Sequence, residues 1–201
     1  MRLSRSAAKE RTRQALLDSA ERQFALKGSA ARLEEIADGA DLTTGAIYSG
    51  FGGKRGLVAA MFERMNDARI DVMTSATNDT MRLIDVLAVM ANAWNEPDQE
   101  RLIMELRTDM QVTLWCLDDP ELAPALQASA ASLDDCLIRH LTGRHAGGDY
   151  VTTAQDAERL VLHFRALVSQ QANAVAFGDH FPDLVELSAD LVRLVGPAEL
   201  R

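Results

Sequence analysis

Only two cysteines, Cys116 and Cys136, occur in 201 residues. They form neither a CxxC pair nor a metal-ligand spacing, which speaks against a disulfide framework or a thiolate zinc site. A reduced, cytoplasmic protein is the expectation. The five prolines stand at positions 97, 120, 124, 182 and 197, all near expected helix ends. No apolar run reaches the roughly 18 residues that cross a bilayer, so no membrane partner is expected. The basic start MRLSRSAAKERTRQ has no apolar segment behind it and does not read as a signal peptide. HExxH, a paired ExxH and nucleophile motifs are missing as well. No metal, cofactor or catalytic residue is therefore expected. An all-helical enzyme or metal protein using His140, His145 and His163 remains a rival reading.

What the chain does have is helix. Apolar residues make up 47%, enough for one compact core or two small ones. Ala, Leu, Met, Glu and Arg abound, and no segment sustains a period of two. The spacing predicts about nine helices, near 7–26, 32–39, 43–50, 53–76, 79–95, 98–117, 121–141, 156–177 and 182–195. A glycine-bearing loop is expected at 142–153.

Charge is uneven. The net charge is −9, which argues against a polyanion partner for the whole chain. Residues 1–65 hold 11 Lys/Arg and 8 Asp/Glu, against 10 and 22 in 66–201. A basic head on an acidic body suits contact with a polyanion at one end only. Arg2, Arg5, Lys9, Arg11 and Arg13 crowd the first thirteen positions. They either track phosphates or a minor groove, or form a tail with weak, nonspecific attraction.

The most informative stretch is Leu42 to Lys54, LTTGAIYSGFGGK. Two short helices with the turn Gly39-Ala40-Asp41 between them make a helix-turn-helix, whose second helix can enter a major groove. Thr43 can cap that helix with its hydroxyl. Thr43, Thr44 and Ser49 can donate to phosphates or base edges, and Gly45 permits close approach. Ala46 can meet a thymine methyl. Ile47 and Phe51, four apart, can face a core with Ile36 and Phe24. Tyr48 has a ring that packs and a hydroxyl that reaches a phosphate, or it only packs. Lys54 opens the next helix, where its charge and the free N–H groups favour an anionic oxygen; the alternative is a solvated lysine.

Residues 10–62 resemble the DNA-binding head of the TetR family of bacterial transcriptional regulators. The elements that carry the resemblance are Ala20 and Phe24 before Gly28, the pair Ile36-Ala37, and Gly45-x-Ile47-Tyr48-x-x-Phe51-x-x-Lys54-x-x-Leu57. The resemblance implies an all-α fold, with a helix-turn-helix domain at 1–52 and a helical ligand-binding and dimerisation domain at 53–201. It implies a homodimeric repressor on two-fold operator DNA, released by a small-molecule effector, and no enzyme. A DNA-binding dimer without an effector is the alternative. By the same carry-over Thr43, Thr44, Gly45, Tyr48, Ser49 and Lys54 fall at DNA-contact positions. Three places depart from the pattern. Asp41 stands where the family usually has Gly, Gly50 where it often has His or Tyr, and Ala31-Arg32 where Thr or Ser opens the second helix. Arg32 takes over a phosphate contact there or is solvated.

In the body, Leu160, Phe164, Leu167, Val168, Gln171 and Val175 form one stripe, and Leu184, Leu187, Leu191 and Leu194 a second. Such stripes mean core in an isolated protein, and two together suit a four-helix interface between copies. Candidate pocket walls are Met61, Met65, Met90, Trp94, Met104, Met110, Trp115 and Phe164, with ordinary core as the bland alternative. Arg107 lies among Ile103, Leu106, Met110 and Leu114. It pairs with a carboxylate, holds an acidic ligand, or snorkels to solvent.

Overall fold

The computed structural model describes residues 5–96 and 98–195. Arg2, Pro97 and Pro197 lie outside the described residues, as does the side chain of Arg5. Among the described residues nine α-helices follow one another. They are α1 (Arg5–Lys27), α2 (Leu33–Asp38), α3 (Thr44–Phe51), α4 (Lys54–Ala76), α5 (Leu83–Asn92), α6 (Gln99–Asp118), α7 (Leu122–Leu141), α8 (Ala154–Phe177) and α9 (Leu184–Asp190). The fold is all-α, as the periodicity indicates. No helix among the described residues is long and apolar enough to cross a membrane.

The chain divides into two compact units, Met1–Met65 with Ile103–Ser129, and Asn66–Leu102 with Ala130–Arg201. The first gathers more than residues 1–52. Leu16, Leu17, Ala20 and Phe24 of α1 are buried with Ile36, Ile47, Leu57 and Met61. Val112 of α6 and Leu122 and Leu126 of α7 join the same core. Trp115 meets Phe24 edge to face, with ring centroids 5.2 Å apart. Arg64 of α4 reaches back to α1 and pairs with Asp18 and Glu21. These contacts lock α4 and α6 to the head.

In the second unit, Leu83, Val86, Leu87 and Met90 of α5 pack with Leu133, Leu137 and Leu141 of α7, Leu160 and Phe164 of α8, and Leu184 and Leu191 near the C-terminus. Helix α8 starts at a reciprocal cap. The Thr153 hydroxyl accepts from the Asp156 N–H at 3.2 Å, and the Asp156 carboxylate accepts from the Thr153 N–H at 2.9 Å. Both orphan donors are thereby satisfied.

Three boundaries differ from the periodicity. Helix α5 begins at Leu83 rather than near 79, because the Asn78 side chain accepts from the Thr80 N–H and hydroxyl and holds a turn there. Helix α9 begins at Leu184 rather than near Pro182, with Asp183 as its cap, accepting from the Val185 N–H. The stretch 142–153 contains a small hairpin, β1 (His145–Gly147) with β2 (Tyr150–Val151). It is pinned by buried Arg144, whose guanidinium donates to the carbonyls of His140 and Asn78 at 2.7 and 2.6 Å. The bond to Asn78 spans a long stretch of chain and leaves no trace in local composition.

Candidate nucleic-acid interface

Helices α2 and α3 meet through a tight turn in which the Leu42 N–H donates to the Ala37 carbonyl at 2.9 Å. The turn needs one left-handed residue. Asp41 supplies it, with φ 56°, at the position where the family usually has glycine. Asp tolerates this region through local hydrogen bonding, at a cost glycine would not incur.

Helix α3 is fixed from behind by Ile47, fully buried beside Ile36 and Phe24, and by half-buried Phe51. Gly52 closes it in the left-handed region at φ 75°, and its N–H donates to the Tyr48 carbonyl. The opposite face is then forced outward. Gly45, Tyr48, Ser49 and Gly50 are exposed, and so is Thr43 at the N-terminus. Tyr48 is 60% exposed, a large amphipathic side chain presented rather than packed. Thr44 and Ala46 are half-buried at the flanks. Thr43 sits at the cap position, but its hydroxyl makes no capping bond. The Ala46 N–H instead donates to the Thr43 backbone carbonyl at 2.9 Å. Arg32 is exposed at the start of α2. Near it Lys27 pairs with Glu35 at 2.9 Å. That bond, with the Arg32 N–H, holds the Glu35 carboxyl below its usual pKa.

Lys54 has partners that the sequence does not indicate. Its ammonium donates inward to the Ser29 carbonyl at 2.7 Å and lies 5.0 Å from the centre of the Trp115 ring. Burial pushes its pKa below the ordinary lysine value. The next residue, Arg55, holds both oxygens of Asp119 at 2.6 and 3.0 Å and also binds Glu121. The start of α4 is thus clasped to the end of α6.

The sequence places Arg13 only among the terminal basic residues. In the structure its guanidinium stacks over Phe51, 4.8 Å from the ring centre. Spacing is the signal that could have found it: Arg13 precedes Leu16 and Leu17 by three and four residues, so it shares their inward face.

Residues 16–61 match the family model described as bacterial regulatory proteins, tetR family. The head belongs to the TetR family. Solved structures extend the likeness to the fold of nearly the whole chain. A TetR-family regulator from Rhodococcus sp. aligns at TM-score 0.75 and 15% identity, covering 92% of this chain and 98% of that one. The multidrug binding protein EbrR, complexed with malachite green, aligns at TM-score 0.67 and 21% identity, over 92% and 98%. The TetR-like regulator LfrR from Mycobacterium smegmatis, in complex with proflavine, gives 0.59 and 19%, over 94% and 99%. No curated protein matches the chain in sequence.

The residues named for a pocket fall in both units. Met61, Met65, Met104, Arg107, Met110 and Trp115 belong to the first unit, and Met90, Trp94 and Phe164 to the second. Met61 is head core and Trp115 is engaged with Phe24 and Lys54. Arg107 is exposed, and so are Met110 and Leu114 on its side of α6. Apolar neighbours in sequence do not make that face an inner one. The structure does bring Met90, Trp94 and Phe164 together, with the two rings 5.1 Å apart edge to face. Buried Arg69 joins them with its guanidinium 4.7 Å from the Trp94 ring centre. No motif singles it out.

The residues named for a dimer face divide too. Leu160, Phe164, Gln171, Leu184 and Leu191 are buried within the second unit itself. Leu167, Val168, Val175 and Leu187 are half-buried and Leu194 is exposed. An apolar stripe signals burial without naming the partner. Leu162, Ala166 and Phe177 lie on the exposed side of α8.

Proposed function

We propose that this chain is a homodimeric TetR-like repressor that reads two-fold operator DNA with α3 and leaves it when a small molecule binds the second unit. The observation that carries this reading is the outward face of α3. A small, polar, aromatic-bearing surface is locked from behind by Ile47 and presented without charge of its own. Thr43, Thr44, Gly45, Tyr48 and Ser49 would meet the groove and its phosphates, with Arg32 gripping the backbone from the start of α2. Lys54, held by Ser29 and Trp115, is assigned a positioning part: it sets where α4 begins and so how α3 is carried.

The effector reading draws support from the ligand complexes of EbrR and LfrR. Within this chain the aromatic pair Trp94 and Phe164, with Met90 and Arg69 beside them, is the environment best suited to an aromatic or acidic compound. Pairing of copies would use the outer side of α8, through Leu162 and Phe177, and Leu194 beyond α9, rather than the buried stripes. A DNA-binding dimer whose body serves association alone is the second reading.

Selection of bound fragments from a random DNA pool tests the main claim. A two-fold sequence with half-sites about one helical turn apart is expected. Recovery of no preferred sequence overturns it. Thermal shift against a metabolite library separates the two readings. Stabilisation by a compound that also releases the DNA supports the effector; operator binding that no compound alters supports the second.

A further inference from the structure

Next to the recognition helix, between the first half of α1 and the end of α3, lies a cleft of about 410 Å³. Lys9, Thr12, Arg13, Ser49, Gly50 and Phe51 are among the residues that line it. We propose that this cleft receives one backbone phosphate of the bound DNA, with Arg13 as its principal donor.

Three observations carry the proposal. The first is the posture of Arg13, whose guanidinium carbon lies over the Phe51 ring, 4.8 Å from its centre. Stacking uses the face of a guanidinium and leaves its N–H edge able to donate, and it fixes a flexible side chain before binding. Two other arginines of the same unit are spent on carboxylates: Arg55 on Asp119 and Glu121, Arg64 on Asp18 and Glu21. Among the described residues Arg13 has no such pair.

The second is Gly50, which leaves the mouth of the cleft open. A Cβ built there would meet nothing within 4 Å. A longer side chain at that position would occupy the space beside Arg13, so its absence gives a phosphodiester room to approach the guanidinium. Ser49 lines the same cleft and offers a second donor, its hydroxyl, on the side of α3.

The third is the charge of the lining. Lys9, Glu10 and Arg13 of α1 all line it, and Glu10 already accepts from the Gln14 amide at 2.7 Å. The cleft is net cationic in a chain of net charge −9.

The inference rests on the operator-binding reading, so its test must fail separately. Full-length protein would be titrated with its selected DNA over a range of salt concentrations. Arg13→Gln should weaken binding about tenfold, to the same extent for every bound sequence. It should also lower the log–log salt slope by about 0.9, because one phosphate contact is gone. Arg13→Lys should keep the slope and lose less affinity. A methylphosphonate scan of the DNA adds a measurement on the unaltered protein. One neutralised phosphate should weaken the wild type and leave Arg13→Gln indifferent. Wild-type affinity and slope for Arg13→Gln, alongside weakened binding by Tyr48→Ala, would overturn the phosphate site and leave the regulator reading standing. A wild-type chain that selects no DNA overturns both.

Discussion

The ammonium of Lys54 lies 2.7 Å from the carbonyl oxygen of Ser29, so a residue that opens α4 holds the turn that follows α1. Replacing it should therefore be felt first in the stability of the head. Lys54→Met keeps much of the stem against Trp115 and removes the charged donor. A loss of about 1 kcal/mol is expected in chemical denaturation, typical of one hydrogen bond at a partly solvated site. The salt slope of DNA binding should not change, since this charge is turned inward. Unchanged stability with a shallower slope would instead make Lys54 a direct phosphate contact.

Gly50 and Gly56 should respond oppositely to the same change. A Cβ at Gly56 would lie 1.8 Å from the Phe51 carbonyl oxygen, a backbone atom that cannot rotate away. Gly56→Ala should cost about 2 kcal/mol or more by forcing α3 and α4 apart. At Gly50 the space is open, and alanine should stabilise α3 by roughly 0.5–1 kcal/mol through backbone entropy. Denaturation midpoints of the two variants give the answer, and equal effects would contradict the close approach of α4 to the end of α3.

Asp41 at φ 56° is the one described non-glycine residue in the left-handed region. Asp41→Gly should raise stability by about 0.5–1 kcal/mol, the strain relieved less the extra entropy of the unfolded glycine. Operator affinity should hold or rise slightly. A destabilised variant would mean that the Asp41 side chain contributes more than its backbone strain costs.

Acidification should weaken the second unit in two stages. Burial, then Arg139 and Arg144, holds the His140 imidazole below its usual pKa of 6.5, and Thr77 bonds its Nδ1 at 2.6 Å. The unfolded chain takes up this proton more readily, so the contribution is complete above pH 6.5 and is lost as pH falls through the folded value. Asp156 behaves as a depressed carboxylate. Burial raises its pKa, but bonds from Tyr150 and Thr153 outweigh this and leave it below 3.8. Its contribution persists above that value and is lost only at lower pH. Urea titrations between about pH 7 and pH 5 should show declining stability that His140→Gln flattens. An equal decline in the variant would place the titrating group elsewhere.

The helices were legible because their cause is local. Leu16, Ala20 and Phe24 recur at helical spacing, and Ile47 and Phe51 mark the inner side of α3, so its outer side followed by elimination. The turn was legible down to the residue at which it departs from the family, Asp41. Elsewhere the pattern misled. Leu160, Phe164 and Leu184 form stripes suited to an interface, yet the second unit consumes them, because periodicity gives a face and not its neighbour. Arg107 has apolar neighbours in sequence yet is exposed, in keeping with the solvent alternative among its three readings.

The sequence by itself determined which segments coil and which face of each is apolar, since propensity and spacing act within a few residues. Only the tertiary structure decided where the charges went. Lys54 turned to Ser29, Arg55 to Asp119, Arg144 to the Asn78 carbonyl and Arg13 to the face of Phe51. Each of those choices joins residues far apart in the chain, where desolvation and available partners, not local pattern, set the outcome.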